Sequence, residues 1–476
     1  MAFARILLVN PSYAGSHWGP VRPPVGLGYL SEELRRQGLE HRVMDMSLGY
    51  RERDLFSFIK RFKPDLVGFS LLTFRYRDSY NLIRRLKERF PSMAVVVGGP
   101  HVSMYEKRVL EEAPFIDYGL TREGERSLVE FCQAGPPGNM SGLIFRQDKN
   151  IFYNNSNPFI EDLDSLSFPR YRHFPLRSYV AREIGIITSR GCPYGCIFCP
   201  VKDSIGKKFR PRSAGGVAEE IAYWAGKGYR DIIILDDNFT LDEERVYDIC
   251  LQLEERKLKG LRLRLANGVR ADRVNEKLLS RLWQVGFRYL SFGVEGGNNR
   301  VLKAIGKGET IEEIREAVSL ATRVGFEVTL FFLVGSPEER RIDIEDSVRL
   351  AREFPVFDAR FYNLIPFPRT RLFDWVKENG FFVEEPEEYL NNGSHWDSRP
   401  VFATPWFTRV QRREALIYTQ KVRREIRKKA IERRLKSLGP LAPVAAWLFS
   451  LEMVQDILQS NRFIRRFTQD LFHKVK

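Results

Sequence analysis

RGCPYGCIFCP, residues 190–200, contains three of the five cysteines of the 476-residue chain. Cys192, Cys196 and Cys199 have the spacing C-x3-C-x2-C and follow the apolar run EIGIITS (183–189), which has the character of a strand. Thiolates bind zinc, copper(I) and iron–sulfur clusters. The loop therefore predicts a metal or cluster site at the end of a strand.

The other cysteines do not complete a structural zinc site, which needs four protein ligands. Cys132 and Cys250 lie in stretches of helical periodicity, and the nearest histidine along the chain, His173, is distant in sequence. Three cysteines would leave one iron of a [4Fe–4S] cluster open to an outside ligand. A cluster is favoured, with zinc as the alternative.

The cysteine loop lies after the first of six predicted strands, most of them followed by a helical stretch. The strands are EIGIITS (183–189), DIIILDD (231–237), LRLRLAN (261–267), YLSFGVE (289–295), VTLFFLVG (328–335) and ARFYNLIP (359–366). Six such units predict a partial (β/α)6 barrel over residues 183–380, with its active site at the carboxyl ends of the strands.

Residues 1–135 also alternate apolar runs with amphipathic stretches, so the chain belongs to the α/β class. We predict a five-stranded, doubly wound parallel sheet of the Rossmann-like kind, with a ligand at the carboxyl ends of its strands. Residues 136–182 contain clusters of Pro, Gly and Asn and are predicted to be a linker.

The composition, 43% hydrophobic and 29% charged, is typical of a globular protein. The first residues are predicted to be a strand and not a signal peptide. No run of eighteen apolar residues occurs, so no transmembrane helix is expected. Five cysteines in a chain of this length do not form a disulfide framework, which favours the cytoplasm.

Most of the net charge of +15 lies near the C-terminus, since residues 409–476 carry 17 Lys/Arg and 6 Asp/Glu. Residues 381–476 are predicted to be a helical segment, with a basic helix at 423–436. Two interpretations stay open, a solvated face or an interfacial helix on the cytoplasmic membrane face. The apolar residues of the second interpretation are Trp447, Leu448, Phe449, Phe463, Phe467 and Phe472. Nucleic-acid binding is not favoured, because no RNA-binding signature is present.

The cysteine loop resembles the signature C-x3-C-x-Φ-C of the radical S-adenosylmethionine (radical SAM) superfamily, with Phe198 as the aromatic residue. Four further stretches, in order, resemble the SAM-binding motifs of that family: LDDNF (235–239), NGVRAD (267–272), GVEGGNNRVLKAIGKGET (293–310) and FFLVGSPEE (331–339). The last departs from the usual G-x-P-G-E, because its second glycine is missing.

The resemblance implies a [4Fe–4S] cluster on Cys192, Cys196 and Cys199. It implies reductive cleavage of SAM to a 5′-deoxyadenosyl radical that abstracts hydrogen, with an electron donor of the flavodoxin or ferredoxin type. The implied SAM contacts are Phe198, Asp236, Asp237, Asn238, Asn267, Arg270, Glu295, Val334 and Gly335. Asp236 to Asn238 would hold the methionine amino group and Glu295 the ribose. No catalytic residue is assigned; Tyr289 and Tyr362 are candidate radical quenchers, although such aromatic residues more often belong to a core.

The first domain resembles the cobalamin-binding domain of the class that includes the anaerobic magnesium-protoporphyrin ester cyclase, hopanoid-modifying enzymes and many carbon methylases. The resemblance is carried by PPVGLGYLSEELRRQG (23–38), DLVGFSLLT (65–73), VVVGGPHVS (95–103) and GLTREGERSL (119–128). The implied cobalamin contacts are Pro24, Gly26, Ser70, Leu72, Thr73, Gly98, Gly99, His101, Glu123 and Gly124. No D-x-H-x-x-G motif occurs, so a histidine ligand below the cobalt is not expected.

These features predict an oxygen-sensitive radical enzyme that modifies an unactivated carbon by methyl transfer, on a small molecule or a lipid or isoprenoid. Cyclisation or oxidative rearrangement without methyl transfer is the alternative. A non-catalytic iron–sulfur or RNA-binding protein is an alternative of another class. A methylthiotransferase is disfavoured, because only Cys132 precedes the cysteine loop.

Overall fold

The computed structural model describes residues 2–12, 21–135, 139–436, 439 and 442–450. The chain forms two compact units. The first consists of the described residues within Met1–Val180, Val201–Arg210 and Leu390–Asn392, and the second of those within Ala181–Pro200, Pro211–Tyr389 and Gly393–Lys476.

A seven-stranded sheet is the centre of the first unit. Its strands are β1 (Arg5–Asn10), β2 (Glu40–Asp45), β3 (Leu66–Ser70), β4 (Ala94–Gly98), β5 (Tyr118–Leu120), β6 (Leu143–Gln147) and β7 (Asn150–Tyr153). The spatial order is β2-β1-β3-β4-β5-β6-β7, and β1 to β5 pair in parallel. The predicted doubly wound parallel sheet is confirmed. The strand order reverses between β1 and β3, where ligands bind in sheets of this order.

The first unit differs from the sequence prediction in residues 143–153, which were assigned to a linker. They form the hairpin β6–β7, and β6 pairs antiparallel with β5. The turn of the hairpin contains Asp148, which adopts a positive φ of 54°. An Asp-Lys turn is a weak hairpin signal compared with Asn-Gly or Asp-Gly, and for this reason the hairpin was missed.

Helices connect the parallel strands of the first unit. They are α1 (Val25–Arg36), α2 (Glu52–Phe62), α3 (Tyr76–Arg89), α4 (Pro100–Tyr105), α5 (Arg108–Glu112) and α6 (Gly124–Ala134), and α7 (Val201–Ser204) joins them from later in the chain. On α2, Leu55 and Ile59 lie one turn apart and are fully buried, as the period of an amphipathic helix requires.

The second unit contains a six-stranded sheet. The remaining strands of the described residues are β8 (Glu183–Ile186), β9 (Ser189–Arg190), β10 (Arg210–Pro211), β11 (Asp231–Ile234), β12 (Arg262–Val269), β13 (Phe287–Glu295), β14 (Glu327–Val334), β15 (Asp358–Asn363), β16 (Phe381–Phe382) and β17 (Phe402–Ala403). The order β15-β14-β13-β12-β11-β8 is parallel throughout. The six predicted strands of the partial barrel are confirmed in their predicted sequence order.

The later helices are α8 (Ala214–Gly226), α9 (Glu243–Glu255), α10 (Glu276–Gln284), α11 (Asn299–Ala304), α12 (Ile311–Val324), α13 (Asp343–Glu353), α14 (Arg371–Asn379), α15 (Pro386–Asn392), α16 (Arg409–Arg434) and α17 (Ala442–Ser450). On β13, Leu290, Phe292 and Val294 are buried on the face covered by α10 and α12. The alternate residues of β13 therefore point to the opposite, inner face of the sheet.

The basic C-terminal helix is part of the second unit. It begins at α16 with a capping box between Thr408 and Gln411 and packs against β15, and its inward side includes Leu416, Val422 and Ile426. The helix is therefore not a wholly solvated face. On α17, Trp447 and Leu448 are exposed. Phe463, Phe467 and Phe472 lie outside the described residues.

None of the described helices combines the length and the apolar character that a bilayer crossing requires.

Candidate active site

The cysteine loop lies at the carboxyl end of β8 and β9 and is fastened by main-chain bonds. The amide of Ile197 donates to the carbonyl of Ile305 over 3.0 Å, and the amide of Leu372 donates to the carbonyl of Ile197 over 3.0 Å. The guanidinium of Arg371 donates to the carbonyl of Gly195. The loop is thus held in shape by the start of α14 and the end of α11.

The three thiols on this loop are half-buried and form no disulfide. The amide of Asn238 donates to Cys192 Sγ over 2.9 Å. Burial raises the pKa of the Cys196 thiol, and the nearby Lys307 acts in the opposite direction. Among the described residues no three His, Cys, Asp or Glu side chains are grouped as ligands of a single metal ion.

The LDDNF stretch contains two aspartates, and the side chain of the first, Asp236, makes hydrogen bonds that stabilise the fold. Its carboxylate accepts the amide of Thr188 over 2.6 Å and the hydroxyls of Thr188 and Ser189 over 2.5 and 2.6 Å. The predicted SAM contact at Asp236 is corrected, because this side chain ties the end of β8 to β11. Asp237 remains as the carboxylate beside it, and burial together with Asp236 raises the pKa of Asp237 to about 6.

A buried lysine between two carboxylates lies next to the loop. Lys307 Nζ is 3.2 Å from Glu309 and 3.6 Å from Glu295. Burial disfavours the charged amine, yet these two carboxylates hold the pKa of Lys307 above its usual value. Burial raises the pKa of Glu295. Lys307 and Glu309 were missed from sequence, although their signal, a Lys-Gly-Glu run, lies inside the quoted stretch 293–310.

Arg270 holds the main chain around Lys307 in place. Its guanidinium donates to the carbonyls of Lys307 and Gly308 over 2.6 and 3.1 Å and pairs with Asp272 at 2.9 Å. The guanidinium carbon lies 3.6 Å from the centre of the Tyr194 ring, within the cysteine loop. Arg270 was predicted to contact SAM; its recorded contacts make it a residue that positions the loop.

The other predicted SAM residues differ in accessibility. Phe198 is half-buried and Asn267 is exposed, with its amide donating to the carbonyl of Leu235 over 2.6 Å. The side chain of Val334 is fully buried, so only its main chain is available to a ligand. Gly335 has a φ of 103°, and the Arg412 guanidinium fills the place where a side chain would begin.

The turn after β14 contains two buried ionisable side chains, Glu339 and Arg412, that were missed from sequence. Glu339 accepts the amides of Gly335 and Ser336 over 2.5 and 3.0 Å. Arg412, which is 1% exposed, donates to the carbonyls of Phe402 and Val334 over 2.6 and 3.3 Å. Burial raises the pKa of Glu339 to about 7 and lowers that of Arg412 to about 9. Arg412 is distant in sequence from the turn, so no local pattern predicted this contact.

In the first unit, the loops after β3 and β4 lie against each other. The amide of Leu71 donates to the carbonyl of Gly98 over 2.8 Å. Gly99 has a φ of 98°, and an added Cβ would lie 2.8 Å from the carbonyl oxygen of Leu71, so glycine is required there. Leu72 is 46% exposed beside them. The predicted cobalamin contacts that are exposed or half-buried are Pro24, Gly26, Ser70, Leu72, Gly98, Gly99 and Gly124.

His101 belongs to the interior of the first unit, and its prediction as a cobalamin contact is corrected. The ring is fully buried, stacks on Tyr76 with centres 4.5 Å apart and shares a hydrogen bond of 2.8 Å with Tyr80. Burial, and then Arg108, lowers the pKa of His101 to about 3, so the ring is neutral. Thr73 is buried as well, with its hydroxyl 3.9 Å from Met104 Sδ.

The side chain of Glu123 also makes contacts that stabilise the fold, so its prediction as a cobalamin contact is corrected. Its carboxylate accepts the amide of Ile160 over 2.6 Å and pairs with the buried Arg210 at 2.8 Å. Arg210 also donates to the carbonyls of Ile160 and Ile205 over 2.6 Å each.

Family models match both parts of the chain. The B12 binding domain matches residues 15–131 and the Radical SAM superfamily matches residues 186–351. An uncharacterised methyltransferase of Pyrococcus horikoshii is 30% identical over 422 residues, which are 86% of this chain and 90% of that protein. The anaerobic magnesium-protoporphyrin IX monomethyl ester cyclase of Cereibacter sphaeroides is 26% identical over 79% of this chain and 64% of its own length.

Among solved structures, the cobalamin-dependent S-adenosylmethionine radical enzyme OxsB, with aqua-cobalamin and S-adenosylmethionine bound, has the same fold. The TM-score is 0.74 at 17% identity, and the alignment covers 98% of this chain and 75% of that one. The chain is therefore an enzyme of the radical SAM superfamily, and it belongs to the branch with a B12-binding domain. Its cofactors are a [4Fe–4S] cluster, SAM and cobalamin.

Proposed function

We propose that this enzyme transfers a methyl group to an unactivated carbon of its substrate, with cobalamin as the methyl carrier. One observation carries the proposal: the Pyrococcus relative that aligns with 86% of the chain is named a methyltransferase. The cysteine loop and the B12-binding region supply the two cofactor sites that this reaction needs.

The donor set on the loop fits a [4Fe–4S] cluster. A cluster binds each thiolate through a different iron, so the three sulfurs need not converge on one point as the ligands of one ion do. With Cys192, Cys196 and Cys199 as ligands, one iron stays open for SAM. When bound, the cluster supplies the electron that breaks a carbon–sulfur bond of SAM, and cobalamin supplies the methyl group.

The side chains around the loop have separate tasks in this proposal. Asn238 stabilises the thiolate of Cys192 by donating to its sulfur. Asp236 is occupied by Thr188 and Ser189, so we assign the methionine amino group of SAM to Asp237. Lys307 holds the carboxylate of Glu295 in place for the ribose hydroxyls.

A cyclisation or oxidative rearrangement is the second candidate, because the Cereibacter relative is named an ester cyclase. The two reactions differ in their products. Methyl transfer converts one SAM to S-adenosylhomocysteine for each substrate methylated, whereas cyclisation forms no S-adenosylhomocysteine.

We also propose a cytoplasmic enzyme that takes its electron from a flavodoxin or ferredoxin and touches the membrane face to reach a lipid or isoprenoid substrate. The exposed Trp447 and Leu448, close in the chain to the basic α16, support this placement. Sedimentation with phosphatidylglycerol vesicles tests it: the wild type is expected to sediment and Trp447→Ala to stay in solution. Equal sedimentation of the two proteins contradicts the assignment.

The decisive experiment is anaerobic reconstitution with iron, sulfide and hydroxocobalamin, followed by reduction in the presence of SAM and chromatography of the nucleosides. We expect 5′-deoxyadenosine from the wild type and none from Cys196→Ala. Cys250→Ala is the matched control, because Cys250 is a buried cysteine on α9 away from the loop. S-adenosylhomocysteine that appears only with bound cobalamin supports methyl transfer. If the cluster is intact and neither 5′-deoxyadenosine nor S-adenosylhomocysteine forms, the proposed enzymatic reaction is contradicted.

A further inference from the structure

On the inner face of the second sheet, a series of side-chain contacts begins at Glu295 and Lys307, beside the cysteine loop, and leads away from them. A Cβ added at Gly293 would lie 2.7 Å from Glu295 Oε1 and 3.2 Å from Lys307 Nζ, so this carboxylate and amine lie on the inner face of β13. A Cβ at Gly268 would lie 3.4 Å from the ring of Phe331. Phe331 is therefore the next side chain along this face.

Phe331 leads to a cluster of aromatic and cationic side chains. Its ring centre is 5.7 Å from the Arg360 guanidinium and 5.8 Å from the ring of Tyr362. Tyr362 in turn lies 4.7 Å from Trp396 and 5.2 Å from His395, centre to centre. The neighbours of Arg360 and Tyr362 on β15 alternate with them and are buried on the opposite side of the sheet.

The cluster carries more positive charge than its carboxylate balances. Asp358 is buried and accepts both Nε and Nη2 of Arg423, over 3.0 and 3.1 Å, and Nε of Arg360 over 3.0 Å. Burial favours the protonated acid, yet Arg423, Arg427 and Arg360 hold the pKa of Asp358 below its usual value. At least two guanidiniums thus face one carboxylate, which leaves an excess of cation.

The excess positive charge of this group of side chains is partly exposed to solvent. The Arg360 side chain is 32% exposed, and Trp396 is 40% exposed. The Trp396 ring lies 4.9 Å from the guanidinium of Arg423 and 5.9 Å from that of Arg360. The pair Asp358–Arg423 joins α16 to β15, and Arg360 adds a second guanidinium at the same carboxylate. Guanidinium groups pair with carboxylates and phosphates in a bidentate manner, and aromatic faces bind apolar groups beside them.

We infer that Arg360, Tyr362 and Trp396 form a substrate subsite that binds a carboxylate or phosphate group attached to an apolar or aromatic portion. The inference rests on the proposed function, because it places this group of the substrate along the face that leads from Glu295. It adds a substrate class, an anionic molecule, to the proposed methyl transfer.

Binding of small probes to the reconstituted full-length enzyme tests the subsite by isothermal titration calorimetry. Phenyl phosphate and benzoate are the two anionic probes and distinguish phosphate from carboxylate, and benzyl alcohol is the uncharged probe. We expect at least one anion to bind about tenfold or more tightly than benzyl alcohol, the value of one charged hydrogen bond. Equal affinity for all three probes contradicts the subsite.

Arg360→Gln is expected to lose about tenfold or more in affinity for that anion. Lys428→Gln is the matched control, since it removes the same charge from the exposed side of α16 and is expected to bind as the wild type does. Unchanged affinity in Arg360→Gln overturns the inference. If that variant does not fold, Trp396→Ala decides in the same way, because Trp396 is on a surface loop and its loss is expected to weaken the anionic probe.

Probe binding does not depend on SAM cleavage, so the subsite and the proposed function fail separately. Absence of 5′-deoxyadenosine with normal probe binding contradicts the reaction alone. Normal 5′-deoxyadenosine formation with no anion preference contradicts the subsite alone.

Discussion

At the scale of single residues, Glu338 shows the effect of the glycine that is missing from FFLVGSPEE (331–339). It occupies the place of the second glycine in G-x-P-G-E and has a φ of 61°. This left-handed region disfavours side chains with a Cβ. The chain has thus kept the turn geometry of the motif without its glycine, and the strain is stored at one residue.

Glu338→Gly is expected to raise the free energy of unfolding by roughly 0.5–1 kcal/mol, because glycine adopts this φ without a steric penalty. The measurement is the urea midpoint. Glu338→Ala is the control, since it removes the same carboxylate but keeps the Cβ and is expected to give no gain. A gain of equal size in both variants would mean that charge, and not backbone strain, is the cause.

Asn238 is the residue for which a cluster property can be predicted. Its amide donates to Cys192 Sγ, and donors to ligand sulfurs stabilise the reduced cluster. Asn238→Ala is therefore expected to lower the reduction potential of the cluster and to weaken cluster retention roughly tenfold. Potentiometric titration without SAM measures the first effect and iron analysis the second. Asn267→Ala, whose amide donates to a main-chain carbonyl instead, should match the wild type.

At the scale of elements, α16 supports the turn after β14. Arg412 enters from α16 and lies under Gly335, beside the buried Glu339. Arg412→Met removes the donor to the buried carbonyls of Phe402 and Val334 and leaves them unsatisfied, so it is expected to cost roughly 1–3 kcal/mol of stability. Arg413→Met, at the exposed next position of the helix, should cost little. Equal losses of stability in the two variants would contradict a role of Arg412 in supporting the turn.

The turn after β14 makes the stability of the protein depend on pH. Burial raises the pKa of Glu339 from 4.5 to about 7. The folded protein therefore keeps a proton that the unfolded chain releases, and the stability that this residue contributes falls as the pH rises from about 4.5 to 7. We expect the urea midpoint of the wild type to fall over this range relative to that of Glu339→Gln. Glu338→Gln should follow the wild type, and parallel curves for wild type and Glu339→Gln would contradict the prediction.

Elements with a regular apolar period were predictable, and contacts between distant segments were not. Strands such as β11 and β14 are nearly continuous apolar runs because both faces of a parallel sheet are covered over much of their length, whereas β12 alternates arginine with leucine. The three cysteines, Asp237 and Glu295 could be proposed as site residues from sequence because each lies in a local motif. Lys307, Glu309 and Arg412 were missed as site residues because their role depends on burial beside partners that sequence spacing does not reveal. His101 and Glu123 were placed at a ligand surface from their motifs, whereas the fold buries both.

At the scale of the whole molecule, the first unit is not continuous in sequence. Val201–Arg210 belongs to it, although the segments before and after belong to the second unit. Arg210 is the residue that makes this segment necessary, because it neutralises the buried Glu123. A boundary drawn at residue 135 or 180 therefore removes a cation from the core of the cobalamin-binding unit.

Arg210→Gln in the full chain is expected to lower stability by roughly 3–5 kcal/mol and to weaken cobalamin binding, because Glu123 becomes a buried charge without a partner. Thermal unfolding and spectrophotometric cobalamin titration measure the two effects. Lys208→Gln is the control: Lys208 and its partner Glu161 are both well exposed, so its loss should be within about 0.5 kcal/mol. Equal stability of the two variants would show that the segment is dispensable.

The bonds that fasten the cysteine loop also bear on how the enzyme is made. The cysteines leave the ribosome well before Ile305 and Leu372, whose main chains hold the loop in shape. In the nascent chain, the three thiols are therefore exposed before the segments that hold the loop in shape have been made. Insertion of iron and sulfide in the cell is therefore expected to follow translation of the second sheet, and a truncated chain that ends before α14 should carry its thiols exposed to oxidation.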